Sequence, residues 1–554
     1  MHDIVFRDAL VFDGTGGPPN RGDVAVAGGR VARAHGPARE TINAHDLALM
    51  PGIIDSHTHF DAQITWDPYV RPSPALGVTT AVIGNCGFTI APCKPRDRDA
   101  TMRNLTQVEG MSLEVLKRGI AWDFETFPEY LAQLRRTGPA VNVAAYVGHS
   151  SVRTWVMGED ASRRAATDAE IGEMQALVRD AMRSGAVGFA SSTSPAHNGE
   201  GGLPMPSRLA DERETRALVA AMGESGRGVY MLTKGAQTSL AFLESLAADS
   251  GRPVMVAALL HNGTNPQAVF DDLDAIAAAN ERGRRLIGQV SCCPLTMDFT
   301  MRSPYPVEGL ASWKPALGLE GGELRRVLSL RDFRDGVRAE LVAPSRFRLF
   351  NGEWDKVQVV EAVDHPDCEQ RTLADIARSE GRDPLDAMLD LALAEDLRTV
   401  FTAQLLNSDE EAVGRMLGHP HSIVSLSDAG AHLTFFNDAG FGLHLLGHWA
   451  RELGAMSMSE AVRRLTSHPA AVFGMRDRGL IREGCAADLL LFDPRTVGRG
   501  PKRRVFDLPG GAPRLTTDAV GVHGVWVNGR RIVGGDGLLD QAPRAGEVLT
   551  DFQT

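Results

Sequence analysis

The sequence predicts an α/β protein: a (β/α)8 barrel carrying a small β-sandwich domain built from both chain ends. Three observations lead there. Short apolar runs alternate with longer amphipathic stretches through the middle of the chain, the pattern of parallel strands with helices outside. At 554 residues there is room for eight such units with insertions, since barrels run from about 200 to more than 400 residues. Turn-bounded short strands occupy both ends, and the two sets read as halves of one domain.

Taken in order, residues 3–12 place Ile4, Phe6 and Leu10 among polar partners, and Asp13-Gly14-Thr15-Gly16 makes a turn. Runs at 22–26 and 30–32 flank Gly28-Gly29, a hairpin signal. Apolar runs at 141–147, 188–190, 228–232, 253–260 and 286–290 then interleave with helical patterns at 168–184, 211–225, 239–248 and 270–282. The stretch from about 292 to 371 is rich in Pro, Gly and Arg and reads as an irregular insertion or lid. An amphipathic helix near 459–464 hands the chain back to strands at 487–493 and 522–527, the latter closed by Asn528-Gly529. The expected domains are 1–50 plus 480–545 for the β-domain, and 51–479 for the barrel.

Composition excludes several classes. The net charge is −12 and no long basic run occurs, which argues against nucleic acid or an anionic membrane as partner. Six cysteines are too few for a disulfide framework, and Cys292 and Cys293, as neighbours, are not expected to bridge each other; a reducing cytoplasm follows. Residues 1–12 lack the basic start and apolar core of a signal peptide. No apolar run approaches the roughly 20 residues of a membrane helix. The expected partner is a small-molecule substrate, with self-association left open.

The richest segment is Pro51-Gly52-Ile53-Ile54-Asp55-Ser56-His57-Thr58-His59-Phe60-Asp61. Residues two apart on a strand project to one side. His57 and His59 therefore reach one point at a strand's C-terminal end, where barrel active sites lie. Two converging imidazoles suit a divalent transition metal. Two ordinary surface or core histidines would satisfy the same spacing.

Further motifs stand in a fixed order: Asp13-Gly14-Thr15-Gly16, Gly77-Val78-Thr79-Thr80, Gly84-Asn85-Cys86-Gly87, Gly148-His149, 185–192, Ser427-Asp428, Leu446-Gly447-His448, Arg451-Glu452, 461–469, Arg478-Gly479, Glu483-Gly484, Ala487-Asp488 and Val527-Asn528-Gly529. In that order they resemble the amidohydrolase superfamily, in its branch of D-aminoacylases, the N-acyl-D-amino-acid deacylases. The resemblance runs over nearly the whole chain. It implies that Cys86 takes the place a carboxylated lysine fills elsewhere in the superfamily, as a thiolate ligand; a small buried apolar residue is the plain alternative. It implies that Asp428, ending the last barrel strand, contacts the metal and its water and moves protons; an N-cap is the plain alternative. His149 matches a family Gly-His and is a substrate-binding candidate or a structural histidine. His432 lines the pocket or caps a loop.

The chain departs from that branch at four places. The family's remaining ligands are histidines on the fifth and sixth strands, occurring as Thr-His and Ser-His-x-Lys. Here Lys234 follows Thr233, and Leu260 stands at the second position with His261 one place late. Asn262 replaces the carboxylate-binding lysine, and Ala431-His432-Leu433-Thr434 stands where an arginine is expected. Three readings remain open: one metal held by His57, His59 and Asp428 with Cys86; recruitment of a shifted His261 or of Lys234; or loss of metal chemistry on a retained scaffold. Lys234, His261, His149 and His432 are the substrate-binding candidates. Met231, Met255, Met297 and Met301 with Phe299 suggest an apolar pocket or core packing. The expected activity is hydrolysis of an amide-type C–N bond in an N-acyl amino acid, cyclic amide or related compound. It would use a divalent metal, zinc foremost, as one or two ions. The rival is a metal-poor barrel that binds a small molecule or catalyses a non-hydrolytic reaction.

Overall fold

The computed structural model describes residues 1–345 and 348–554. The chain divides into two compact units, Met1–Leu259 with Leu273–Cys292 and Leu417–Thr554, and Leu260–Asp272 with Cys293–Met416.

Eight parallel strands form the barrel sheet of the first unit. They are β1 (Ile53–Asp55), β2 (Val78–Ile83), β3 (Asn142–Gly148), β4 (Gly188–Ser192), β5 (Val229–Thr233), β6 (Val254–Leu259), β7 (Leu286–Val290) and β8 (Ser422–Val424). Each pairs with the next in chain order. Just beyond β1 and β8, Thr58 and Ala429 form a parallel bridge, and the His59 N–H donates to the Ala429 carbonyl at 2.8 Å. That contact closes the ring, and the expected barrel is borne out. Strands of a parallel barrel are covered on both faces, so they read as unbroken apolar runs. Every residue of β2 and of β3 is buried. Gly188 in β4 lacks a Cβ where one would lie 1.9 Å from the Val229 carbonyl oxygen. The outer helices carry their own boundaries. Asp168–Ser184 starts in a capping box of Thr167 with Glu170 and stops at Gly185, whose φ is +110°.

Both ends of the chain join one nine-stranded sheet. Leu489–Phe492 runs antiparallel to Ala48–Pro51, which is where the two ends meet. Phe6, Val26, Leu49, Leu489 and Trp526 form its core, with Phe6 edge-on to Trp526 at 4.8 Å between centroids. Asn528 and Gly529 both take positive φ, the left-handed pair a tight hairpin requires. A long hairpin, Gly498–Leu508 with Ala512–Val520, extends from the same region.

The second unit holds a three-stranded antiparallel sheet with Val400–Leu406 between Leu295–Phe299 and Val357–Glu361. Helices Gly321–Ser329, Arg331–Val342, Leu373–Glu380 and Pro384–Ala394 accompany it. The irregular insertion expected at about 292–371 falls here, yet it contains regular elements and the unit runs on to Met416. The central strand joins partners distant in sequence, a pairing that local periodicity does not reveal. Phe299 packs on Phe401 at 5.5 Å, and Met297 and Met301 are buried. Met231 and Met255 are fully buried in β5 and β6. Among the described residues no helix is long and apolar enough to cross a membrane.

Candidate metal centre

The site stands on the ends of β1, β2, β5, β7 and β8. After β1 the chain leaves the sheet at Ser56, and His57 and His59 bring their rings to 5.3 Å between centroids. The Thr58 between them points the other way. Its N–H and hydroxyl both engage the Val82 carbonyl, at 3.2 and 2.9 Å. After β2 a single turn, Asn85–Gly87, presents Cys86 with φ +57°. After β8, Leu426, Asp428 and His432 also take positive φ. Left-handed backbone at non-glycine residues costs on the order of 1–3 kcal/mol each and clusters at functional sites.

Four side chains expected from sequence converge. The imidazole Nε2 atoms of His57 and His59 lie 3.2 and 3.4 Å from Asp428 Oδ1. Cys86 Sγ is 3.5 Å from His57 Nε2 and accepts from the Thr233 hydroxyl at 3.1 Å. The ligand atoms of His57, His59 and Cys86 all fall within 4.8 Å of one another. A tetrahedral zinc ion with bonds of roughly 2.0–2.3 Å needs its ligand atoms roughly 3.3 Å apart for N or O and roughly 3.6 Å apart for N and S. The spacings of Asp428 Oδ1 from the two imidazoles and of Cys86 from His57 are of that size, Asp428 stands outside the mutual group of His57, His59 and Cys86, and the mix of imidazole, thiol and carboxylate suits zinc. The donor set therefore fits the metal.

Charge within the site is arranged around these groups. Burial opposes the Cys86 thiolate, but His57 and His59 outweigh it and hold the thiol below its ordinary value. Burial would raise the Asp428 carboxyl, yet His59, His57 and His432 hold it well below the usual carboxylate range. Burial likewise opposes a charged His59, and Glu109, Asp428 and Cys86 override it to raise that imidazole well above its ordinary value. Cys93, outside the cluster, has its thiol pushed up to about 11 by burial. Asp428 keeps a quarter of its side chain exposed, while His57 and His59 are almost wholly buried. The carboxylate is thus the group open to an incoming molecule.

Residues that sequence reasoning passed over complete the site. Gln289 Oε1 lies 2.7 Å from His57 Nδ1, and Glu109 Oε1 lies 3.0 Å from His59 Nδ1. Asp55, its pKa raised to about 7 by burial, accepts from the Ser427 hydroxyl at 2.6 Å and braces β1 against the Asp428 segment. His197 sets its ring edge-on to Phe88 at 4.9 Å and is held neutral by burial, its pKa lowered to about 4. Gln289 left a legible signal, a lone polar residue in the apolar run Leu286–Val290. Glu109 left none, since it follows helix Arg98–Val108 in a stretch without periodicity.

The remaining candidates lie elsewhere or play other parts. His149 is wholly buried, with Nδ1 2.8 Å from Ser191 Oγ and Nε2 2.8 Å from Glu214 Oε1. Both ring nitrogens are therefore occupied inside the fold, and Arg153 shares the same Glu214 carboxylate. His432 is half-buried beside the centre, between Phe435 and Phe436, and its N–H donates to the Glu109 carbonyl at 2.5 Å. Lys234 follows β5, half-buried, with its N–H on the Ala257 carbonyl at 2.7 Å. His261 belongs to the second unit, where Asn407 Oδ1 accepts its N–H at 2.7 Å. His261 is not among the residues of the ligand cluster His57, His59 and Cys86.

The chain is 29% identical to the N-acyl-D-aspartate deacylase of Alcaligenes xylosoxydans xylosoxydans, over 99% of this chain and 95% of that one. It superposes on an N-acyl-D-glutamate deacylase from Bordetella bronchiseptica, solved with zinc and a phosphonate mimic of the tetrahedral intermediate. The TM-score there is 0.67 at 26% identity, covering 99% of this chain and 100% of that one. A D-aminoacylase studied for its binuclear metal centre gives the same TM-score and identity over 100% of both chains. Residues 40–293 and 333–533 match the amidohydrolase family, and the chain belongs to that family.

Proposed function

We propose that the protein is a metal-dependent hydrolase that cleaves the amide C–N bond of N-acyl amino acids. The observation that carries this is the convergence of two imidazoles and a thiol on the barrel's C-terminal rim, with the Asp428 carboxylate 3.2 and 3.4 Å from the imidazole nitrogens. The relatives support it: the Alcaligenes protein is named for deacylation of an N-acyl-D-aspartate, and the Bordetella protein was solved with zinc. A single zinc ion is the reading that this chain's donors support. His57, His59 and Cys86 form the one cluster of three or more such groups among the described residues.

His57, His59, Cys86 and Asp428 would hold the ion, which when bound polarises the amide carbonyl and acidifies water. Asp428 takes the proton from the attacking water on its exposed carboxylate. It then delivers that proton to the leaving nitrogen, acting as base and then as acid. Its lowered pKa keeps it ionised, the form that can take up a proton. All six cysteines are buried and none is in a disulfide, which supports a reducing, cytoplasmic setting.

The test is amine release from a panel of N-acyl D- and L-amino acids, with cyclic imides alongside, before and after chelation. Hydrolysis of an N-acyl amino acid that chelation abolishes and zinc restores is expected. Turnover unaffected by chelation, or confined to the cyclic imides, would overturn the reading.

A further inference from the structure

An imidazole that gives one nitrogen to a metal must carry its proton on the other, and that N–H needs an acceptor when buried. Both histidines of the centre turn their Nε2 atoms toward Asp428 and away from two buried side chains that take no part in the chemistry above. At His57 Nδ1 the partner is Gln289 Oε1, 2.7 Å away. The orientation of that amide is set independently. Gln289 Nε2 donates to the Ser56 carbonyl at 3.4 Å and to the Ser425 hydroxyl at 3.3 Å, and Ser425 accepts from Ser56 at 2.8 Å. The amide nitrogen is thus engaged by acceptors, which leaves its oxygen facing the ring. His57 must then donate from Nδ1.

At His59 Nδ1 the partner is the Glu109 carboxylate at 3.0 Å, a group that when ionised can accept but not donate. Its backbone is anchored on both sides: the Glu109 N–H donates to the Leu105 carbonyl at 2.9 Å, and its carbonyl accepts from His432. A buried carboxylate and a buried amide are each costly unless they serve a partner, and each here meets one ring nitrogen of the pair.

We propose that Gln289 and Glu109 are positioning residues that hold His57 and His59 as Nδ1–H tautomers, so that both Nε2 lone pairs face the ion. This rests on the metal-site reading above. The two acceptors differ in kind. The carboxylate makes His59 the more basic ligand, and the amide leaves His57 closer to an ordinary imidazole.

Zinc affinity of the full-length protein, measured by competition with a chromogenic chelator, tests this together with the visible spectrum of the cobalt-loaded protein and the thermal midpoint of the zinc-free protein. Glu109→Ala and Gln289→Leu are each expected to bind zinc about 10–100-fold more weakly. Glu109→Gln, which keeps an acceptor, is expected to recover most of that loss. At saturation the cobalt spectrum of Glu109→Ala should match that of the parent, because the ligands themselves are unchanged. Should Glu109→Ala not fold, Gln289→Leu against Gln289→Glu carries the same comparison at His57. Parent-like zinc affinity in Glu109→Ala and Gln289→Leu would overturn the proposal. So would a Glu109→Gln variant as weak as Glu109→Ala, or a changed cobalt spectrum that makes Glu109 a ligand. A parent protein that binds neither zinc nor cobalt would instead remove the metal reading, and this proposal with it.

Discussion

Asp428 is the residue on which the chemistry turns. It sits at φ +47°, a conformation that the backbone tolerates only because its surroundings hold it there. Ser427 ties the preceding residue to Asp55 and to the His57 carbonyl, at 2.6 and 3.1 Å. Asparagine has nearly the same shape and can still contact the two imidazoles, but it cannot accept the proton. Asp428→Asn is expected to lower kcat by about 100-fold or more at saturating zinc, measured on whichever N-acyl amino acid the panel identifies. Unchanged turnover would remove the proton-transfer role. At this scale the sequence was informative where side chains alternate on a strand, as at His57 and His59. It was ambiguous at His149, since a histidine ending a strand reads alike whether it faces substrate or, as here, Ser191 and Glu214. Glu109 reaches His59 across 50 positions of chain, and no local pattern encodes that contact.

Among the elements, the segments leaving β1 and β8 are the ones that both close the barrel and build the site. Gly430 stands at φ +96°, and a Cβ there would lie 2.6 Å from the His59 carbonyl oxygen and 2.9 Å from the Phe60 nitrogen. Both are backbone atoms, so neither can swing aside. Gly430→Ala is expected to cost about 1–3 kcal/mol in stability and to weaken zinc binding as well, read by denaturant unfolding and by zinc titration of the same variant. Parent-like zinc affinity in a destabilised variant would show that barrel closure and the metal cradle are separable. The barrel elements were legible in the sequence because parallel strands are apolar throughout and the helices between them carry caps such as Thr167 with Glu170. The sheet of the second unit was not. Val400–Leu406 pairs with Leu295–Phe299, and nothing within a short window of either strand points to the other.

Across the whole chain, the terminal sheet and the barrel of the first unit share a buried polar cluster. Asn142, at the start of β3, donates to Asp488 Oδ2 at 2.9 Å, and the Asn528 N–H donates to Asp488 Oδ1 at 2.7 Å. Arg478 completes the cluster on the same carboxylate. Residues from three stretches, at 142, 478–488 and 528, thus meet at one aspartate and tie the C-terminal part of the terminal sheet to the barrel. The family resemblance was readable because its motifs keep their order over the full length. Where Lys234, Leu260 and Asn262 break that pattern, the sequence left the number of ions open, and the donor cluster of His57, His59 and Cys86 now favours one. The direct check is elemental analysis of zinc per chain in the parent protein and in a His57→Ala, His59→Ala double variant. Both proteins are to be expressed with ample metal and then dialysed. One zinc per chain in the parent, lost in the variant while the fold persists, is the expected result. Trace zinc in the parent, or equal zinc in both, would contradict a metal cradle at His57 and His59.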